Sequence, residues 1–211
     1  MQALVSNDCS YVYYIHCFTH CLQLTLVAVS KEVIFVHQFF TNLNFVVNFI
    51  CTSCNRYEEF RVAQVAENVY MIAIDEINSR SELNQISTLQ RAGDMRWSFQ
   101  LRSIFNLIKN FSSTCEVIVK IIDVGITSSQ RAEADSVHQV MTSFEFVFVL
   151  HLMKEIMQII NHLCQALQSK SQDILNIMHL VSSTKRFIQQ YRDDKYEVLL
   201  SNVKSFCIKR T

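Results

Sequence analysis

The sequence predicts a mainly α-helical fold, a long-helix assembly with one short β-strand near its N-terminus. Three observations predict it. Proline is absent and glycine occurs only at Gly93 and Gly125 in 211 residues, where average usage would supply about 10 prolines and about 15 glycines. Sheets joined by tight turns need these residues where φ is positive or fixed. Apolar residues also recur at steps of three and four through most of the chain. Finally, 50% hydrophobic against 18% charged residues is enough for a real core and excludes disorder.

Taken in order, Met1–Val5 reads as the tail of a helix, and Tyr11–Ile15 is aromatic and β-branched, the pattern of a short strand. A lone strand has unpaired backbone donors and acceptors, so sheet partners are expected before Met1. A helix is predicted from about Phe18 to Ser30, and a second from about Val33 to Ile50. The second carries Val36, Phe39, Phe40, Leu43, Val46, Val47 and Ile50 on one face. A third covers Glu58–Ile77, with Val62, Val65, Ala66 and Val69 at helical spacing. Asn78–Gly93 is polar and irregular. Asp94 can cap the next helix, whose apolar steps run Trp97, Leu101, Ile104, Ile108 and Phe111. Cys115–Val124 fits either a strand or a buried helix end, and Gly125–Ser129 breaks the chain. A helix follows from about Gln130 to Met141. Phe144–Leu150 alone also fits a strand, but Val149, Met153, Ile156, Ile160, Leu163 and Leu167 continue at helical steps, so length decides for helix. Ser171 can cap a last long segment with Ile174, Ile177, Met178, Val181, Ile188 and Tyr191 on its apolar side.

Charge and cysteine usage narrow the function classes. Lys+Arg equals Asp+Glu at 19 each, which leaves no broad electrostatic footprint for duplex DNA. Basic residues gather late, at Lys185, Arg186, Arg192, Lys195, Lys204, Lys209 and Arg210, partly offset by Asp193, Asp194 and Glu197. The eight cysteines form no disulfide framework, and the first residues lack the pattern of a secretory signal, so an intracellular chain with reduced thiols is expected. Cys9–Ser30 and Val33–Asn55 are uncharged apart from Lys31 and Glu32 between them, and each is long enough to span a bilayer. Polar residues such as His16, His20, His37 and Asn42 interrupt them, and no membrane association is expected.

The sharpest local chemistry is zinc. Cys17-Phe-Thr-His20 and Cys51-Thr-Ser-Cys54 are two pairs of zinc-type ligands, each with a two-residue gap. Positions three apart share a helix face, so each pair can bite one ion. The same residues read equally as cysteines lining a helix packing surface. No glycine elbow surrounds a serine, no phosphate-cradling loop exists, and no His-Glu-x-x-His occurs. No small-molecule substrate is inferred. Trp97, the single tryptophan, reads either as a core anchor or, with Arg96, as a platform on which an exposed base stacks.

Four stretches carry a family resemblance. His16–Ser30 (HCFTHCLQLTLVAVS) resembles the Cys-x-x-His-x-Leu-x-Leu element of hAT-type transposases and their domesticated relatives, in particular the zinc-finger MYM-type-like group. Leu89–Phe99 (LQRAGDMRWSF) resembles the Gly-Asp-Thr-Arg-Trp element that follows it, with Met95 in place of threonine and Ala92 where proline is common. Phe144–Met157 and Ser182–Cys207 continue the resemblance in the same order. It implies an RNase H-like catalytic sheet interrupted by a large helical insertion. Residues 1–16 would then be a remnant of the sheet, and 17–211 the insertion. The family's three metal-binding carboxylates would fall before Met1 and after Thr211, so no catalytic residue is carried over. Cys17 with His20, and Arg96 with Trp97, are. The resemblance implies a catalytically inactive, nuclear, transposon-derived chain that keeps contact with DNA or a protein partner. The alternative is a small zinc-stabilised helical interaction module.

Overall fold

A computed structural model of the chain describes residues 18–73, 89, 97–168 and 174–210, and among these residues it contains nine α-helices and no strand. The mainly α class is therefore observed. The strand expected at Tyr11–Ile15, the cap expected at Asp94 and the cap expected at Ser171 lie outside the described residues. The helices are α1 (Phe18–Glu32), α2 (Ile34–Cys51), α3 (Cys54–Ala73), α4 (Trp97–Lys109), α5 (Phe111–Val124), α6 (Ser128–Thr142), α7 (Phe144–Leu167), α8 (Ile174–Asp194) and α9 (Tyr196–Arg210).

Helix α7 is the hub, packing against α1, α2, α4, α6, α8 and α9. Its ambiguous start, FEFVFVL, is helical because Ser143 caps it: the hydroxyl accepts from the Phe146 amide at 3.3 Å, and Phe146 turns inward against Phe39 of α2 at 5.6 Å between ring centroids. Leu150, Met153, Met157, Ile160 and Cys164 then continue the buried stripe. On α2 the expected face is the observed one, with Phe49 added and Val36 only half-buried. Helices α2 and α7 are long and apolar enough to cross a membrane; here both furnish the core.

The second ambiguous stretch, Cys115–Val124, belongs to helix α5. Gly125 closes this helix, its backbone leaving the helical region at ψ 137° while its amide still donates to the Ile121 carbonyl at 2.9 Å; a β-carbon there would lie 2.5 Å from that oxygen, so the position takes glycine. Thr127 then opens α6, its side chain accepting from the Gln130 amide at 3.1 Å. That cap moves the helix start two residues earlier than apolar spacing alone implies.

Two sequence expectations are corrected. The run Trp97–Phe111 is not one straight helix: Asn110, at φ −105° and ψ 26°, bends it between α4 and α5. The face expected on α3 is also not the buried one. Val62, Val65 and Val69 are exposed, while Phe60, Ala63 and Gln64 are buried. The reason is polar. The Gln64 amide donates to Asn110 Oδ1 at 2.6 Å, and Asn110 Nδ2 donates to the Asn106 carbonyl at 2.8 Å. With its own side chain so engaged, Asn110 makes no cap for α5. Glu67 supplies it from α3, accepting the Ser113 amide at 3.3 Å and the Ser113 hydroxyl. These hydrogen bonds, one of them to a backbone amide that would otherwise be an orphan, act together with burial of Phe60 and Ala63 on the same face.

One half-buried titratable group ties α7 to α9. The His151 ring packs on Phe206 at 4.7 Å, and its Nδ1 donates to the Val147 carbonyl at 2.8 Å. Burial pushes the His151 pKa below its ordinary value, and Lys154 acts in the same direction; the Val147 hydrogen bond and Glu155 oppose.

Two outcomes are expected. Asn110→Ala should cost about 1–3 kcal/mol in urea unfolding, because the Gln64 amide loses its acceptor in a buried setting. A histidine depressed in the folded state binds its proton more readily when unfolded. Its stabilising contribution is complete above about pH 6.5 and is lost as pH falls through the folded-state pKa. The urea midpoint should therefore fall from about pH 7 to pH 5, and His151→Gln should flatten that dependence.

Candidate functional site

A cleft of about 670 Å³ lies between α7 and α8. It arises because α8 packs poorly. The helix is amphipathic, yet none of its 21 residues is buried. Of the apolar side expected for this segment, Ile177, Ile188 and Tyr191 are half-buried, whereas Ile174, Met178 and Val181 are exposed.

Each helix contributes one stripe to the cleft. From α7 come Glu155, Gln158, Ile159, His162, Leu163 and Ala166. From α8 come Leu180, Ser183, Thr184, Phe187 and Tyr191, with Lys195 just beyond its end. Both sets step by three and four, as residues on one helix face must. Glu155 to Ala166 covers about three turns, roughly 16 Å. Apolar residues alternate with Gln158, His162, Ser183 and Thr184 along the cleft, and Glu155 and Lys195 lie at its Tyr191 end. There Lys195 Nζ stands 5.8 Å from the centroid of the Tyr191 ring, and burial followed by the Glu155 charge raises the Tyr191 pKa. Glu155 is balanced by Lys154 at 3.6 Å. Lys195 makes no ion pair among the described residues.

The residues singled out by sequence lie elsewhere. Cys17 and Arg96 are outside the described residues. Trp97 opens α4, and its side chain is likewise outside them. His20 is exposed on α1, Cys51 ends α2 and is half-buried, and Cys54 opens α3 and is exposed. The break Thr52–Ser53 separates the two cysteines. The Cys51 thiol donates to the Leu89 carbonyl at 3.4 Å, and Leu89 is itself buried. Among the described residues no group of three or more His, Cys, Asp or Glu is placed to hold a metal ion.

Sequence reading missed the cleft. Its apolar members were visible as helix stripes, and Lys195 as part of the basic C-terminal segment. That two such stripes face each other across a gap is a tertiary fact with no local signal. No family model matches the chain, and no solved structure matches it.

A cysteine binds zinc as the thiolate, so metal at Cys51 would replace the hydrogen bond its thiol donates to the Leu89 carbonyl. Protein purified without chelator is expected to carry less than about a tenth of an equivalent of zinc by elemental analysis, on the scale of background for a site that is not structural.

Proposed function

We propose that this chain is a catalytically inactive helical interaction module, derived from a hAT-type transposase, that acts by presenting an apolar helix face to a protein partner. One observation carries the reading: α8 exposes Ile174, Leu175, Met178 and Val181 on its outer side and buries none of its residues. Contiguous apolar residues left in water on an otherwise folded surface mark a docking face. An amphipathic helix offers such residues as anchors one turn apart.

The transposase ancestry rests on the ordered motifs at His16–Ser30, Leu89–Phe99, Phe144–Met157 and Ser182–Cys207. The helical character of the described residues is consistent with the insertion those motifs imply. Two-metal phosphoryl transfer needs clustered carboxylates about the scissile phosphate, and no residue in the matched stretches corresponds to one of the family's three catalytic carboxylates. In the same reading the chain is nuclear, and Arg96 with Trp97 retains contact with unpaired DNA. The basic residues Lys185, Arg186, Lys204 and Lys209, all exposed on α8 and α9, would then add phosphate contacts.

The test is site-specific crosslinking in cells. A photoreactive amino acid at position 178 is expected to give a discrete protein adduct, and the same group at position 135, on the polar face of α6, none. Equal labelling from both positions rejects the docking face, and an adduct to nucleic acid alone replaces the protein partner with DNA. The purified chain, incubated with supercoiled plasmid and Mg²⁺ or Mn²⁺, is expected to leave it intact; nicking that requires the metal rejects the inactive assignment.

A further inference from the structure

We propose that the cleft between α7 and α8 binds a fatty carboxylate, an unbranched apolar tail with a singly charged anionic head, and that Lys195 holds the head. This goes beyond the docking face, which uses the outer residues of α8; the ligand would use the inner ones.

The shape comes first. A cleft of about 670 Å³ lies within the range of small-molecule sites. Its roughly 16 Å length along two facing helices suits a narrow, extended occupant rather than a compact one. Ile159, Leu163, Ala166, Leu180 and Phe187 supply an apolar floor. Covering that floor removes apolar surface from water on both sides, a gain proportional to the area covered. Among the described residues no side chain fills the space, and α8 buries none of its own.

The head follows from the charges. Among the cleft's ionic groups Glu155 already has Lys154. Among the described residues Lys195 makes no ion pair and faces the Tyr191 ring at 5.8 Å. An uncompensated ammonium at the end of an apolar slot selects an anion over a cation or a neutral head. A lysine is a single point charge, matched by one carboxylate. A phosphate monoester carries about −1.5 to −2 at neutral pH, and its second charge would face Glu155. The Tyr191 hydroxyl stands at the same end as a hydrogen-bond donor.

Calorimetric titration of the whole chain with sodium dodecanoate, kept below its micelle-forming concentration, tests this. Saturable one-to-one binding is expected. Lys195→Glu should weaken it about tenfold or more, the loss of one charge-assisted contact, with unchanged far-ultraviolet circular dichroism. Ala166→Trp, which fills the slot from the apolar end, should abolish it. Met178→Glu, on the outer side of α8, should leave it unchanged, so failure of the docking face and failure of the cleft are separable. The proposal is overturned by absence of saturable binding, by equal affinity for dodecyltrimethylammonium, or by an unaltered affinity in Lys195→Glu. Tighter binding of dodecyl phosphate overturns the carboxylate assignment, and inorganic phosphate alone is expected not to bind.

Discussion

The path of the chain turns on how backbone amides are satisfied at Asn110. Its backbone keeps the helical ladder intact across the bend, donating to the Asn106 carbonyl at 3.0 Å and accepting the Thr114 amide at 2.9 Å. Its side chain is spent on Gln64 and Asn106, so the first amides of α5 need an acceptor from elsewhere. Glu67 provides one from a different helix. That single arrangement sets the rotation of α3, the angle between α4 and α5, and the contact of α3 with α5 in one stroke. Remove it and α3 has no reason to hide glutamine while showing three valines to solvent.

Around this joint the remaining helices are placed by burial. Helix α7 reaches most of the others, and its stripe from Phe146 to Cys164 is the spine of the core. Aromatic contacts reinforce the seams: Phe39 with Phe146, Phe111 with Phe206, and Phe148 with Tyr196. Helix α9 is pinned by Leu199 and Val203, both buried, together with Phe206. Helix α8, between two anchored neighbours, is held mainly by its connections and by half-buried contacts. The cleft is the geometric result.

Sequence carried the helical class, the inward face of α2, and the length argument that made FEFVFVL a helix. These are properties of periodicity, which is local and survives without neighbours. It failed on α3 because apolar spacing counts methyl groups, and the decisive partners of Gln64 and Glu67 lie 46 residues away. It failed on Thr127 because a cap is one side chain, outweighed in any window by the apolar run behind it. The zinc pairs were chosen for ligand type and spacing. Cys51 also has a hydrogen-bond partner in Leu89, 38 residues distant, that no spacing rule contains. The cleft was invisible for a related reason: periodicity predicts that a stripe is apolar, but not whether a neighbour comes close enough to cover it.

The hub position of α7 also shapes how the chain meets water during synthesis. Phe39 meets its α7 partner Phe146 only when that residue has been made, roughly a hundred residues later, or about 5–20 s at ordinary translation speeds. Until then α2 has its broad apolar face and no spine to lay it on. The nascent chain is therefore a natural client for chaperones that cap exposed apolar helices, and maturation is gated by the ribosome reaching the middle of the C-terminal half.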